Sequence, residues 1–205
     1  MSGPAPGTDD RLQIRLFGPV QVSRGGNALV LPRGKPLALF ALLIVFKQTP
    51  QTREQLAARL WPEAPSDRAS AYLSNALYRL RRALGEAWLN ADQTLQIRTD
   101  TSMWVDLWEF ERLAFSPDTN DQVAAVALAD GELAADVYDD WIRGPRLDVG
   151  ERVGVLLDEL GAMALTERRW ADAEAWFRRR LRDAPLNEGA APRQTTSSEP
   201  WNPRS

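Results

Sequence analysis

The stretch "SDRASAYLSNALYRLRRALG", residues 66–85, has the periodicity of an amphipathic helix. Ser66 or Asp67 is expected to cap its N-terminus, and Gly85 is expected to close its C-terminus. At about 100° per residue, its apolar side chains fall into one sector, which predicts a face turned to the core. The members of that face are Ala69, Leu73, Ala76, Leu77, Leu80 and Leu84.

The opposite face of this helix is rich in arginine. No Asp or Glu stands between Arg68 and Arg82, although a solvated face usually interleaves both signs. Arg and Asn side chains pair bidentately with guanine and adenine edges in the major groove, and a tyrosine hydroxyl can donate to a phosphate. A merely solvated face is the alternative, since arginine is a good helix former. We interpret this face as the DNA-reading surface, which holds Arg68, Ala71, Asn75, Tyr78 and Arg82, with Arg79 at its edge.

The segments before this helix predict two more helices. "TREQLAARLW" (52–61) begins with Thr52 as N-cap and has Gln55 at the capping-box position. "KPLALFALLIVFKQTP" (35–50) is apolar throughout, which predicts a buried helix ended by Pro50. A third helix after a tight helix–Pro–helix arrangement is where a helix-turn-helix protein places its reader.

Short strands are predicted on both sides of the three helices. Residues 12–22 and 28–31 are expected to form two strands around a Gly-Gly turn. Residues 94–98 and 103–107 are expected to pair through a polar turn. The second pair would form a wing beside the arginine-rich helix, with Gln93, Thr94, Gln96 and Arg98 near its turn.

From Asp106 onward the pattern becomes entirely helical. The last two helical segments, which end at "RRRLRDAP", have the alanine spacing of a tetratricopeptide-like hairpin. Residues 187–205 are polar and rich in Pro and Ser, so they are expected to be disordered. This tail stands where another repeat helix is expected, which suggests a truncated chain.

Composition argues against an enzyme. The 205 residues include no Cys and no His, so disulfides, zinc thiolate sites, cysteine nucleophiles and a Ser-His-Asp triad are excluded. "PRGKPL" (32–37) lacks the first glycine and the hydroxyl residue of a phosphate loop. "YDDW" (138–141) is interpreted as a helix cap over Trp141, not as a pair of catalytic acids. The sequence predicts no catalytic residue, no metal site and no cofactor.

Charge and hydropathy suggest where the protein acts. The formal net charge of −3 conceals a balance of +5 over residues 1–100 and −8 over residues 101–205. Such asymmetry hints at a part that faces nucleic acid beside an acidic part.

The N-terminus lacks the regions of a signal peptide, and the longest apolar run (36–46) is about half a membrane span. A cytoplasmic protein with no membrane contact is expected. The tryptophans at 104, 108, 141, 170 and 176 are interpreted as core residues.

The chain resembles the Streptomyces antibiotic regulatory protein (SARP) type of transcriptional activator. The resemblance is carried by "LFG", "LPRGK", "REQLAARLWP" and "SDRASAYLSNALYRLRRALG", followed by "MWVDLWEFERLA" and "ALADGELAADVYDDWI". These motifs cover about residues 12–188 in the family's order. The DNA-binding part of that family is similar to the winged helix of OmpR-like response regulators.

The resemblance implies an α+β winged helix-turn-helix (N-terminal strands, three helices, C-terminal β wing), followed by an all-α tetratricopeptide-like domain. The winged helix would span 11–103 and the bacterial transcriptional activation domain 104–188, with disordered segments at 1–10 and 189–205. The chain has about the first of the family's usual three repeat hairpins.

The resemblance also implies a function and its residues. The winged helix would bind direct repeats of double-stranded DNA at promoters, and the helical domain would contact RNA polymerase and support a homodimer. The positions carried over are Arg68, Asn75, Tyr78, Arg79 and Arg82 on the third helix, with Arg98 on the wing. The alternatives are a protein-interaction adaptor and the N-terminal regulatory fragment of a larger ATPase-containing regulator.

Overall fold

The first half of the chain places three helices between two small sheets. The computed structural model describes residues 11–91, 94–99 and 103–183. The strands of this half are β1 (Leu12–Arg15), β2 (Gln21–Arg24), β3 (Asn27–Leu29), β4 (Gln51–Thr52), β5 (Leu89–Ala91), β6 (Thr94–Ile97) and β7 (Met103–Val105), and its helices are α1 (Lys35–Val45), α2 (Arg53–Leu60) and α3 (Ser66–Leu84).

The second half of the described chain is helical. Its helices are α4 (Asp106–Ala114), α5 (Thr119–Leu128), a short 3-10 helix (Asp140–Ile142), α6 (Arg143–Thr166) and α7 (Trp170–Asp183). None of the helices in the described part of the chain combines the length and the hydropathy that crossing a membrane requires.

The seven described strands of the first half form two sheets. The first has the strand order β3-β2-β1-β7, in which β7 runs parallel to β1 and the other neighbours are antiparallel. The second has the order β4-β6-β5 and is antiparallel. Helix α1 lies in the core of this half, with Pro36 through Ile44 all buried, as its apolar sequence predicts.

The predicted single strand over 12–22 is wrong, because the chain reverses within it. Strands β1 and β2 pair antiparallel, so the intervening residues turn through Gly18, whose φ is 88°, and Pro19. The Gly-Gly turn lies where it was predicted, between β2 and β3. Gly25 and Gly26 there have φ angles of 56° and 81°, the left-handed conformation that a tight hairpin turn requires.

The boundaries of α1 and α3 also differ from the predictions. Helix α1 ends at Val45, several residues earlier than the predicted end at Pro50. The chain turns at Phe46 and then enters β4, which pairs with β6. Helix α3 takes Pro65 as its N-cap, with no capping side chain from Ser66 or Asp67. Gly85 closes α3 at a φ of 85°, which confirms the predicted C-terminus.

The predicted pairing of 94–98 with 103–107 is wrong. Strand β6 pairs with β5, which the sequence analysis missed, and β7 leaves to pair with β1 in the other sheet. Helix α4 begins at Asp106, so the last predicted strand is shortened to three residues. The hairpin that follows α3 in the chain, called the wing below, is therefore formed by β5 and β6.

The helical hairpin at the end of the described chain is confirmed. An ideal Cβ on Gly161 would lie 2.6 Å from the Phe177 ring, and one on Gly154 would lie 2.9 Å from the Arg180 guanidinium carbon. These pairs place α6 and α7 antiparallel and in close contact. Helix α6 begins at Arg143, and Pro145 is tolerated in its first turn because the backbone amides there have no intrahelical acceptor in any case. The segments predicted to be disordered, residues 1–10 and 187–205, lie outside the described residues.

Candidate nucleic-acid interface

Helix α3 turns its arginine-rich face to solvent. All six residues of the predicted core face are buried, from Ala69 to Leu84. The predicted outer face is exposed at Arg68, Ala71, Asn75, Tyr78, Arg79 and Arg82. The periodicity of the sequence therefore placed both faces of this helix correctly.

Three of the outer residues form a line along α3. Arg68, Asn75 and Arg82 follow one another at intervals of seven residues, so they share one side of the helix. Their Cα atoms are spaced about 10 Å apart along the axis, which is about three base-pair steps. An α-helix of this kind fits the major groove of DNA, where such a line can follow the base edges.

The guanidinium groups on the outer face of α3 carry no ion pair among the described residues. Arg82 lies 5.9 Å from the centre of the Tyr78 ring, its neighbour on the same face. Arg81, on the flank, pairs with Glu86 at 3.0 Å. The charges of Arg68, Arg79 and Arg82 thus remain available to an anionic partner.

The arginines of the helical half differ in this respect. On α7, Arg178 pairs with Glu174 at 2.5 Å and Arg180 pairs with Asp158 at 3.3 Å. Arg169 is held by two carboxylates, and its guanidinium pKa is raised chiefly by the hydrogen bond to Glu167. Both halves are rich in arginine, but most arginines of the helical half are paired with a carboxylate of the same half.

Helix α2 holds α3 in place through local sequence signals. The predicted capping box is confirmed, since the Gln55 amide donates to Thr52 Oγ1 and the Thr52 amide donates to Gln55 Oε1. Leu56 and Leu60 of α2 are fully buried in the same core as the inner face of α3. This arrangement resembles a helix-turn-helix in which α3 is the second, outward-facing helix.

Two side chains beside the outer face of α3 were not predicted from the sequence. Arg53, the first residue of α2, donates from Nη2 to Ser74 Oγ at 3.0 Å and so lies along the flank of α3. Tyr72 is about half exposed, and its ring centre lies 6.0 Å from that of Trp61. Both contacts depend on how α2 and α3 cross, which the sequence does not show. The one signal in the sequence is that Arg53 stands at the start of α2.

The wing places its predicted residues differently from the expectation. Arg98 is exposed, but it follows β6 at the end of the hairpin away from the tip, where its amide donates to the Trp88 carbonyl at 2.9 Å. Gln96 donates to the Lys47 carbonyl at 2.9 Å and is therefore turned to the protein. Gln93 lies outside the described residues.

Asp139 of "YDDW" stands at the N-cap position of the 3-10 helix, as predicted, but its side chain makes no capping hydrogen bond. The Asp139 carboxylate instead accepts from Lys35 Nζ at 2.6 Å, which links the helical half to the start of α1. Asp140 pairs with Arg143 at the surface. No group of three or more acidic side chains within the described residues is arranged to hold a metal ion.

The interpretation of the later tryptophans as core residues is confirmed in part, since Trp108, Trp141 and Trp176 pack against the core. Trp104, Trp108, Trp141 and Trp176 are only partly buried, and Trp170 is 64% exposed. The fully buried tryptophan is Trp88, whose ring packs edge-on against Phe40. Helical spacing indicated which side these residues occupy but not how much of an indole that side can cover.

Comparison with known proteins supports the fold. No protein-family model matches the sequence, and no curated protein matches it. Among solved structures, the chain is similar to Mycobacterium tuberculosis EmbR, which was solved in complex with a low-affinity phosphopeptide. The TM-score is 0.53 at 20% identity, and the match covers 84% of this chain and 57% of the EmbR chain. The chain therefore shares the fold of EmbR over most of its length, while it spans little more than half of that protein.

Proposed function

We propose that the protein is a sequence-specific regulator of transcription that binds double-stranded DNA through α3 and the wing. The observation that carries the proposal is the outer face of α3, whose three arginines have no ion pair among the described residues. The resemblance to SARP-type activators supports it, and so does the fold shared with EmbR, a regulator of that type. Residues 11–103 are proposed as the DNA-binding domain and 104–188 as the activation domain.

The outer face of α3 suits each part of DNA recognition. Asn75 and Arg82 have the planar forks that pair with adenine and guanine edges, and we assign them to base contacts. Tyr78 and the flanking Arg68 and Arg79 are assigned to phosphates, which position the helix without reading sequence. Arg98, at the base of the wing, is assigned to the neighbouring backbone.

The family resemblance extends the proposal to the mechanism of activation. The protein would bind direct repeats at a promoter, as a homodimer, and its helical half would contact RNA polymerase. No cofactor takes part in this mechanism, and no catalytic residue is assigned.

DNA affinity measured against salt concentration tests this function. Fluorescence anisotropy would follow the purified chain on duplex DNA from the region upstream of its own gene, from low to moderate salt. Each phosphate contact adds about −0.9 to the slope of log affinity against log salt, so we expect a slope of about −4 or steeper. The Asn75→Ala/Arg82→Ala variant should lose about 1–3 kcal/mol of binding free energy per base contact and most of its sequence preference.

A charge-matched control separates base recognition by α3 from general electrostatic attraction between the protein and DNA. Arg178→Ala also removes one positive charge from an exposed helical position, but on α7, where Arg178 is paired with Glu174. It should leave affinity and slope unchanged. Equal losses in both variants, or no binding at low salt, would contradict DNA reading by α3 and favour the protein-interaction adaptor.

A further inference from the structure

The turn that follows α1 contacts both halves of the molecule. Lys47 extends its ammonium group to Glu111 of α4, with Nζ and Oε2 2.7 Å apart. The same ammonium lies 4.8 Å from the centre of the Trp108 ring, and Trp108 Nε1 donates to the Ile44 carbonyl at 3.1 Å. The Lys47 side chain is only 19% exposed, so this cluster is partly shielded from solvent and salt.

The backbone of the same residue holds the wing. The Lys47 carbonyl accepts a hydrogen bond from Gln96 Nε2 of β6 at 2.9 Å. Strand β6 is the middle strand of its sheet, so a restraint on β6 restrains β5 as well. One residue thus joins α4 of the helical half, through its side chain, to the wing, through its carbonyl.

Phe46, the residue before Lys47, also makes two contacts, one with α2 and one with the helical half. The Arg59 guanidinium lies 5.4 Å from the centre of the Phe46 ring. The centre of the Trp141 ring lies 6.1 Å from the centre of the same Phe46 ring. Arg59 belongs to the last turn of α2, next to the helix-turn-helix, whereas Trp141 belongs to the helical half. The turn therefore lies between the helical half and both elements that flank α3.

We infer that Lys47 is a positioning residue of the DNA interface: by anchoring the turn to Glu111 and Trp108, it fixes the wing relative to α3. This inference rests on the proposed function. Lys47 itself is turned toward α4 and contacts no DNA. The helical half thereby sets the geometry with which the wing and α3 meet a duplex.

The variants Lys47→Met and Glu111→Gln test this role by removing opposite charges. Each should weaken binding to the cognate duplex about three- to tenfold while the salt slope stays the same. A direct phosphate contact by Lys47 would instead make the slope shallower by about 0.9 in Lys47→Met. Simple electrostatics would make Glu111→Gln bind more tightly. The exchanged pair Lys47→Glu/Glu111→Lys should recover only the part of the affinity that depends on the ion pair, because a carboxylate at position 47 makes no cation–π contact with Trp108.

Hydrogen exchange gives a readout that needs no DNA. Backbone amides of β5 and β6 should exchange about three- to tenfold faster in Lys47→Met and Glu111→Gln, with those of α5 unchanged. Lys35→Met is the matched control, because it removes a lysine ion pair to the helical half at the other end of α1. Wing exchange should be unaffected there.

The two proposals fail in different ways. If the unmodified protein binds no duplex, the proposed function is wrong and this inference falls with it. If the unmodified protein binds DNA but Lys47→Met and Glu111→Gln keep its affinity and its wing exchange rates, the inference alone is overturned.

Discussion

Asp106 is a buried carboxylate surrounded by backbone amides. Its side chain is 3% exposed and accepts hydrogen bonds from the amides of Leu16, Phe17 and Leu107 at 2.7–3.0 Å. Burial raises the pKa of this carboxyl group above its ordinary value, although the three backbone hydrogen bonds oppose that change. The residue joins the end of β1 to the first turn of α4, which are far apart in sequence.

Asp106→Asn should destabilise the protein. The amide nitrogen of Asn cannot accept, so either the Phe17 amide, which donates to Oδ2, or the Leu107 amide, which donates to Oδ1, would lose its partner. Such a loss costs about 1–3 kcal/mol of unfolding free energy. Urea unfolding at neutral pH measures it, and a variant as stable as the parent would show that these hydrogen bonds carry little net free energy.

The stability contributed by Asp106 should also depend on pH. Because the pKa is higher in the folded protein than its unfolded value of 3.8, the folded state holds the proton more tightly. The contribution is therefore full below pH 3.8 and decreases as pH rises through the folded pKa. The penalty of Asp106→Asn should be larger near pH 4 than near pH 7 in urea titrations. A penalty that grows with pH would mean that the amide hydrogen bonds lower the pKa of Asp106 by more than burial raises it.

At the scale of elements, the contact between α6 and α7 depends on a glycine. An ideal Cβ on Gly161 would approach the Phe177 ring to 2.6 Å, too close for van der Waals contact. Gly161→Ala should therefore destabilise the protein by about 1–3 kcal/mol, despite the better helix propensity of alanine. Gly150 lies on the same helix with nothing within 4 Å of an ideal Cβ. Gly150→Ala should stabilise by about 0.5–1 kcal/mol, so thermal unfolding of the two variants should shift in opposite directions.

Long periodic helices could be predicted from the sequence, and short strands could not. The inner face of α3 was predicted residue by residue because 19 residues repeat the helical period five times. Strands β4 and β5 have two and three residues, too few for an alternation to show. Their existence depends on pairing with β6, and pairing is a tertiary property. The outer residues of α3 were likewise placed by periodicity, but Arg53 came to its flank only through the crossing of α2 and α3.

The whole molecule is held together across its two halves. Strand β7 leads directly into α4 yet pairs in parallel with β1, so one sheet includes strands from both ends of the first half. The isolated bridge between Phe17 and Leu133 and the ion pair of Lys35 with Asp139 add contacts with the loop before α6. The predicted domain boundary between 103 and 104 falls inside β7, and it stays a prediction.

These contacts predict that the two halves unfold together. Urea titration followed by backbone amide resonances should give one midpoint for α3 and α7, as two-state unfolding requires. Asp139→Asn should move both midpoints to the same lower urea concentration, because Asp139 is 13% exposed and pairs across the halves. The loss of unfolding free energy should be about 0.5–1.5 kcal/mol. Asp140→Asn is the matched control, since its exposed carboxylate pairs only locally with Arg143, and it should change stability by less than about 0.5 kcal/mol. Separate midpoints for α3 and α7 would show that the halves are independent units, and the helical half could then not hold the wing in place.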